Sequence, residues 1–429
     1  MAFKTIVSRC RALLALLLWA PLLSIACNRE QPKPAVLAPV AHATRPPALQ
    51  ANSQSAAESD QQLANRIDVL TATEGNKTQF APDIKPQAIR DLRKMASYVA
   101  IDSPGMVKAE NASFLSENEY VLGITEGEES RAYPVRCLTF HHVINDHIGK
   151  SEKGGVPVTI TYCVVCGTGI CYDPVVNGKT LQFDFYGLYN GMSILCERDT
   201  QGVFLPAEGR IVSGPLTGTN LKSLPALDTT WGRWKRLHPN TLVMSPETLY
   251  KGFYSAEEPP VQRGASEFPM PMFEHTMTRR DMRLKQFDTV LAVTLASEGQ
   301  KAAAPLHRAY PLTTLARIGD VANDRLGGAP VGVLMDPKTL TAIALLRQLG
   351  SKTLTFEARK QADGSVAFYD KETGTRWNVE GIGEEGPLAG KALPRLNNHL
   401  SQWYGWAASF PDTSIYGRTD PPQPVEVTE

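Results

Sequence analysis

Apolar and polar residues divide the chain into an apolar N-terminal stretch, a polar segment and a long body of short apolar runs. In the body, runs such as 156–163 and 194–198 carry β-branched or aromatic residues, which favour strands. Asn177-Gly178 lies between two such runs, and Asn-Gly is a preferred pair in two-residue hairpin turns. The pattern therefore predicts a mainly β (α+β) protein, without distinguishing a barrel from a sandwich.

Helical periodicity is scarcer and is limited to short segments, at 86–99, 231–237 and 396–408. The first of these falls in a lead-in region, 81–104, which we expect to form a helix in front of the β-rich body. The helices are predicted to be small additions to the strands.

Five short motifs of the body occur twice and in the same order, which chance does not readily supply. We interpret the body as two tandem, structurally similar β-rich lobes, repeat A at 105–250 and a degenerate repeat B at 275–416. A linker at 251–274 joins them, and a flexible tail at 417–429 follows. The paired motifs are 120–124 with 289–293, 131–134 with 308–311, 143–146 with 321–324, 214–218 with 386–390 and 231–239 with 403–411.

The N-terminal stretch predicts export. A positively charged start ends at Arg11 and precedes an apolar segment, 12–26, that is too short to span a membrane as a mature helix. This is the pattern of a secretory signal peptide, 1–26, and its end resembles a bacterial lipobox with Cys27 as the acylated residue. We expect a lipoprotein on the periplasmic or cell-surface face of a bacterial membrane; simple cleavage or an uncleaved anchor are the alternatives.

Residues 27–80 combine proline with alanine, glutamine and serine and show no apolar period. Such a composition cannot bury enough surface to offset the entropy of ordering the chain. This segment is predicted to be a disordered tether between the membrane and the folded body.

Composition excludes several classes of protein. The 429 residues contain 44 basic and 44 acidic side chains, whereas nucleic-acid binders normally show a basic excess. The sequence has no P-loop, nucleophile elbow, His-Glu-x-x-His, dinucleotide fingerprint or Cys-x-x-Cys-His motif. It thus indicates neither a nucleotide nor a haem, names no protein partner, and leaves open whether the protein is an enzyme.

The candidate chemistry lies in the cysteines. Of the seven, five remain when Cys10 and Cys27 are set aside, and all five fall in repeat A. An ungapped alignment of the copies pairs Cys137 with Thr314, Cys163 with Asp336, Cys166 with Thr339 and Cys171 with Ala344. The thiols are therefore not required by the fold and indicate a site present in one copy. Residues kept by both copies, such as Arg131 and Tyr133, are by the same logic scaffold.

Cys163 and Cys166 form a Cys-x-x-Cys-Gly motif at the end of a predicted strand. Residues three apart on a strand face opposite sides, so the thiols converge only if the chain turns, which Gly167 and Gly169 allow. Two converging thiolates suit a soft or borderline metal such as Cu(I) or Zn(II). The further candidate ligands are His141, His142, Cys171 and Cys137, of which His141 and Cys171 complete our predicted set.

Two other interpretations of the motif stay open. An exported protein can hold the pair as a structural disulfide, although five thiols leave one unpaired. The pair can also serve in thiol–disulfide exchange, but such motifs place the first cysteine at a helix N-terminus, and no helical period follows Cys166.

The motifs together resemble a bacterial and archaeal family catalogued as a domain of unknown function, number 3179. The resemblance is strong over 100–250 and looser over 275–416. Family members typically read Tyr-Cys-Pro-x-Cys-Gly, so Val164 departs from the pattern; they usually show Glu where His142 stands, whereas His141 matches. The family carries no established activity, so the resemblance implies compartment and motif but no reaction. The motifs that carry it are Arg131-Ala-Tyr-Pro, 141–146, Tyr162-Cys163-x-x-Cys166-Gly167 and Gly-Pro-Leu-x-Gly followed by Trp-x-x-Trp.

Overall fold

The computed structural model describes residues 79–94, 98–149, 154–254, 268, 271–296, 304–422 and 424–427. The predicted signal peptide, Cys27 and nearly all of the predicted tether lie outside these residues. Among the described helices, none is long and apolar enough to cross a membrane. We call the described residues of 79–254 lobe A and those of 271–427 lobe B.

Strands dominate both lobes, so the prediction of a mainly β protein with short helices is confirmed. The strands of lobe A are β1 (Arg90–Asp91), β2 (Ile101–Asp102), β3 (Met106–Lys108), β4 (Tyr120–Glu126), β5 (Glu129–Pro134), β6 (Val143–Ile148), β7 (Val156–Cys163), β8 (Thr168–Asp173), β9 (Val175–Val176), β10 (Lys179–Thr180), β11 (Phe183–Tyr189), β12 (Met192–Glu197), β13 (Val203–Leu205), β14 (Arg210–Ile211), β15 (Lys222–Leu224), β16 (Ala226–Thr230) and β17 (Leu242–Met244).

The strands of lobe B are β18 (Arg279–Asp281), β19 (Thr289–Leu295), β20 (Leu306–Pro311), β21 (Val321–Leu326), β22 (Ala329–Asp336), β23 (Thr341–Leu346), β24 (Gln348–Leu349), β25 (Lys352–Thr353), β26 (Phe356–Lys360), β27 (Val366–Asp370), β28 (Arg376–Trp377), β29 (Gly383–Glu385), β30 (Asn397–Gln402), β31 (Ser414–Ile415) and β32 (Pro424–Glu426). The helices are α1 (Val135–His141), α2 (Trp231–Leu237), α3 (Pro271–Glu274), α4 (Leu312–Ile318) and α5 (Trp403–Ser409), with 3-10 turns at Pro86–Ala88, Ala109–Asn111 and Lys251–Phe253.

The sheets of the two lobes match one another. Lobe A contains sheets of order β16-β4-β5-β17-β3, β15-β8-β7-β6-β2 and β1-β11-β12-β13-β14. Lobe B contains the corresponding orders β30-β19-β20-β31, β21-β22-β23 and β26-β27-β28-β29. The lobes are therefore structurally similar, as the repeated motifs predict.

The repeated polar residues perform the same structural task in each lobe. In lobe A, Asp146 accepts hydrogen bonds from Arg131 Nη1 and Tyr133 Oη at 2.6 and 2.7 Å. In lobe B, Asp324 accepts the equivalent bonds from Arg308 and Tyr310 at 2.6 and 2.8 Å. These buried and partly buried groups satisfy one another, which accounts for their presence in both lobes.

Three expectations about local structure are wrong. The predicted helix at 86–99 is a 3-10 turn followed by β1, because the backbone there pairs with β11 at the edge of its sheet. The first part of the predicted helix at 396–408 is β30, which pairs with β19 along its whole length. The tail expected to be flexible contains β32, which pairs with β18. In each case strand pairing with a distant segment overrides the local pattern.

The lobes meet at the turns that follow β7 and β22. Cys166, in the turn between β7 and β8 of lobe A, accepts a hydrogen bond at its carbonyl from the Gln402 backbone N–H of lobe B at 3.1 Å. The equivalent turn of lobe B receives Arg233 of lobe A, which forms an ion pair with Asp336. The turn after β7 thus contacts the start of α5 in lobe B, and the turn after β22 contacts the start of α2 in lobe A.

Candidate functional site

The Cys-x-x-Cys motif forms the tip of the hairpin that joins β7 to β8. Gly167 has φ +60° and closes the turn, as expected, whereas Gly169 lies within β8 without a positive φ. The turn brings the Cα atoms of Cys163 and Cys166 to 5.6 Å, and the two sulfurs are bonded as a disulfide. The predicted convergence of the thiols is therefore present.

Backbone amides point at the first sulfur of the pair. The N–H groups of Ser193 and Cys166 donate to Cys163 Sγ at 3.4 and 3.5 Å. Cys163 is only 6% exposed. In the reduced protein, such donors stabilise a thiolate that burial alone would disfavour.

A small cavity of about 10 Å³, with room for about one water molecule, adjoins Cys163. His142 and Met192 line it together with Cys163. His142 is the C-cap of α1 with φ +61°, and its Nδ1 lies 2.9 Å from the carbonyl oxygen of Tyr162. Its Nε2 is buried without a hydrogen-bond partner among the described residues, and burial lowers the pKa of the imidazole to about 4. The ring is therefore neutral at pH 7 and keeps one uncommitted nitrogen.

Two methionines complete a sulfur-rich environment around the cysteine pair. Met192 and Met277 belong to the buried cluster that also holds Cys163 and Cys166. Tyr404 of lobe B closes this cluster and donates a hydrogen bond from its hydroxyl to Gly191 O at 3.2 Å. Both lobes thus wall the pair off from solvent.

A family model described as "Protein of unknown function (DUF3179)" matches residues 99–413, which span both lobes. The chain belongs to this family. Comparisons with curated proteins and with solved structures gave no match. Membership in the family confirms the resemblance that the motifs carry. The family's description names no reaction.

Within this DUF3179 protein, the four predicted ligands do not come together. His141 Nδ1 lies 2.6 Å from the carbonyl oxygen of Val99, and its Nε2 lies 2.6 Å from Tyr254 Oη, so both nitrogens have partners. Burial lowers the pKa of this imidazole as well. His141 therefore holds α1 against neighbouring segments.

Cys171 lies on the other face of the sheet. It pairs with Ile160, whereas Cys163 pairs with Thr168, and alternation along β7 places Ile160 and Cys163 on opposite faces. Burial raises the pKa of the Cys171 thiol, and burial raises the pKa values of Cys137 and Cys196 to about 12. These three thiols are neutral packing groups.

In the part of the chain that the structure describes, no group of three or more His, Cys, Asp or Glu side chains is placed to hold a metal ion. The donors near Cys163 that the sequence argument did not select are His142 and Met192. A methionine carries no spacing signal, and the family usually has Glu at the position of His142.

Proposed function

We propose that this DUF3179 protein is an exported lipoprotein that binds Cu(I) through the reduced thiols of Cys163 and Cys166. The observation that carries the proposal is the small cavity whose lining includes Cys163, His142 and Met192. Thiolate and thioether sulfurs are soft ligands and select Cu(I).

Copper fits these donors better than zinc. A structural zinc site takes four nitrogen, sulfur or oxygen ligands in a closed tetrahedron, whereas the described residues here offer two thiols, one imidazole and thioethers. Cu(I) accepts fewer ligands and binds thioethers. Cys163 and Cys166 must be reduced and deprotonated to bind, and the two amides directed at Cys163 Sγ favour that form.

A competition titration tests the proposal. The reduced protein is titrated anaerobically with Cu(I) against a chromophoric chelator, together with Cys163→Ser and Cys166→Ser. We expect about one equivalent to bind tightly and both substitutions to abolish it. Cys196→Ala, which removes a buried thiol outside the motif, is the matched control and keeps the binding. Serine variants that bind copper as tightly as the reduced wild type, or a reduced wild type that binds none, contradict the proposal.

Export and anchoring rest on the N-terminal sequence, because Cys27 lies outside the described residues. Cys27→Ser is expected to move the protein from the membrane fraction to a soluble fraction in a lipid-labelling and fractionation experiment. Loss of labelling without loss of export separates lipidation from secretion.

Thiol–disulfide exchange is the second candidate, and the bond between the Cys163 and Cys166 sulfurs favours it. In that case the pair passes its two electrons to a substrate disulfide as it becomes oxidised. An insulin-reduction assay with the reduced protein distinguishes the two: turnover that depends on both cysteines supports exchange, and copper binding without turnover supports the metal site.

A further inference from the structure

A second, larger cavity lies where the two lobes face each other. It has a volume of about 140 Å³. Lobe A contributes Tyr172, Glu208 and Ser223 to its wall, and lobe B contributes His307, His399 and Phe410. None of these residues belongs to the proposed copper site.

The equivalent space in the other half of the molecule is filled. Strand registers make the correspondence: Ser223 pairs with Tyr172 in lobe A, as Arg395 pairs with Leu345 in lobe B. Likewise His399 pairs with Ala292, and its counterpart Leu227 pairs with Gly123. The positions that line the cavity in one half are thus identified in the other.

In the filled half, large or ion-paired side chains take up the room. Leu227 and Leu345 belong to one buried cluster. Arg395 Nη2 donates to the carbonyl oxygen of Ala226 at 2.7 Å, and its Nη1 lies 3.7 Å from Glu380 Oε1. His238 Nε2 approaches the same carboxylate at 2.9 Å.

In the half that contains the cavity, which we call the open half, smaller or aromatic side chains occupy these positions. Ser223 stands where Arg395 fills the other half, and Phe410 stands where His238 reaches the carboxylate. Glu208, the counterpart of Glu380, is bound instead by Arg210 at 2.8 Å. The cavity therefore arises from a local substitution of side chains in an otherwise matching frame.

The wall of the cavity is polar but holds no unpaired charge on the residues named. Burial lowers the pKa values of His307 and His399 to about 4, so both rings are neutral at pH 7. His399 lines the cavity, and its Nδ1 is buried without a hydrogen-bond partner among the described residues. His307 and Phe410 stack with their ring centroids 4.0 Å apart and give the cavity an aromatic side.

We propose that this interlobe cavity binds an uncharged organic molecule with one six-membered ring and hydrogen-bonding substituents. A cavity of about 150 Å³ accommodates benzene, which sets the size of the ring. The aromatic side accepts an apolar ring face, and His399 together with Ser223 hydrogen-bonds its substituents. The proposal rests on the geometry of this cavity and not on copper binding.

Ligand-observed saturation-transfer NMR on the purified full-length chain, oxidised and free of added metal, tests it. The two probes are methyl β-D-glucopyranoside, a polyhydroxylated ring, and phenol, a planar aromatic ring. Binding of either one supports the proposal and identifies which kind of ring the cavity takes. The absence of binding by both overturns it.

Ser223→Arg places in the open half the side chain that fills the other half. We expect it to weaken probe binding about tenfold or more. Lys222→Arg, at the exposed neighbouring position of β15, is the matched control and leaves binding unchanged. His399→Leu, which reproduces Leu227, is the second variant should Ser223→Arg fail to fold. Undiminished binding in a folded variant of either kind overturns the location.

Discussion

The turn at Cys163 in lobe A and the turn at Asp336 in lobe B are corresponding elements of two similar lobes, but they make different contacts. Cys163 and Asp336 each end a long strand, and each pairs with the threonine that begins the next strand. In lobe B the aspartate is fully buried and forms an ion pair with Arg233 of α2. At the position of α5 that matches Arg233, lobe B has Gly405, and the Met192 thioether lies in that space.

This difference shows how a binding site can arise without a new fold. The ion pair in one half joins Arg233 of lobe A to Asp336 of lobe B. At the corresponding position in the other half, Met192 lies beside Gly405, and soft sulfur donors take the place of an ion pair. The interlobe cavity follows the same division, because the half with Arg395 and Leu227 is filled while the half with Ser223 and His399 is open.

The largest expected effect comes from breaking the ion pair. Asp336→Ala leaves Arg233 partly buried without its partner, and we expect the free energy of unfolding in urea to fall by about 3–5 kcal/mol. Asp363→Ala, which breaks an exposed pair with Lys338, is the control and is expected to destabilise the protein much less than Asp336→Ala. The double variant Arg233→Leu/Asp336→Leu is expected to recover most of the loss. A loss below about 1 kcal/mol in Asp336→Ala contradicts the structural role given to this turn.

The open half is expected to lose stability in acid through the buried ring of His399. The folded-state pKa of His399, about 4, lies below its ordinary value of 6.5, so the unfolded chain binds the proton more readily. Stability is therefore fully present above pH 6.5 and falls as the pH drops towards 4, by up to about 3 kcal/mol for this residue. His399→Leu is expected to flatten that dependence in urea unfolding from pH 7 to pH 4.5. His147→Gln, at an exposed position, is the control; an unchanged slope in His399→Leu shows that this ring is not buried in its neutral form.

Much of this fold could be predicted from the sequence, because strand patterns and repeated motifs are local signals. The predicted bounds of β7 and α2 agree with the structure. The alignment of Cys163 with Asp336 agrees as well, since each residue ends the corresponding strand of its lobe. β1 and β32 could not be predicted, since each exists only through its pairing with a distant strand.

The site was harder to predict than the fold. The cysteine spacing identified the turn, but the face on which Cys171 points depends on strand register, and the partners of His141 come from segments far along the chain. Met192 lies on β12, in a different sheet from β7, so no spacing in the sequence predicts that it lies near the turn. The interlobe cavity likewise depends on positions that become comparable only once the lobes are superposed through their registers.

A smaller effect is expected where the glycine of α5 makes room for a methionine. A Cβ atom at Gly405 would lie 2.5 Å from Met192 Sδ. Overpacking costs about 1–3 kcal/mol, and alanine regains about 1 kcal/mol as a better helix former, so Gly405→Ala should lose about 1 kcal/mol in urea unfolding. Gly252→Ala, where no atom comes within 4 Å, is the control. Met192→Ala combined with Gly405→Ala should cost less than the sum of the two single changes; strict additivity argues against the contact.

The last comparison concerns copper affinity and lies at the end of α1, where lobe A has His142 and lobe B has Gly319. Both residues adopt a left-handed conformation, with φ +61° and +95°. His142→Gly relieves a conformation that costs a non-glycine residue about 1 kcal/mol, but it loses the hydrogen bond to the Tyr162 carbonyl and the packing of the buried ring against Phe185, so a net loss of stability is expected. Cu(I) affinity, measured by chelator competition, should nevertheless fall, because the uncommitted Nε2 is gone. His141→Gln is the contrasting variant and should retain the affinity, since both of its nitrogens already have partners. If both variants bind Cu(I) with the affinity of the wild type, the sulfurs alone hold the copper. If only His141→Gln loses affinity, His141 is the imidazole ligand and His142 is not.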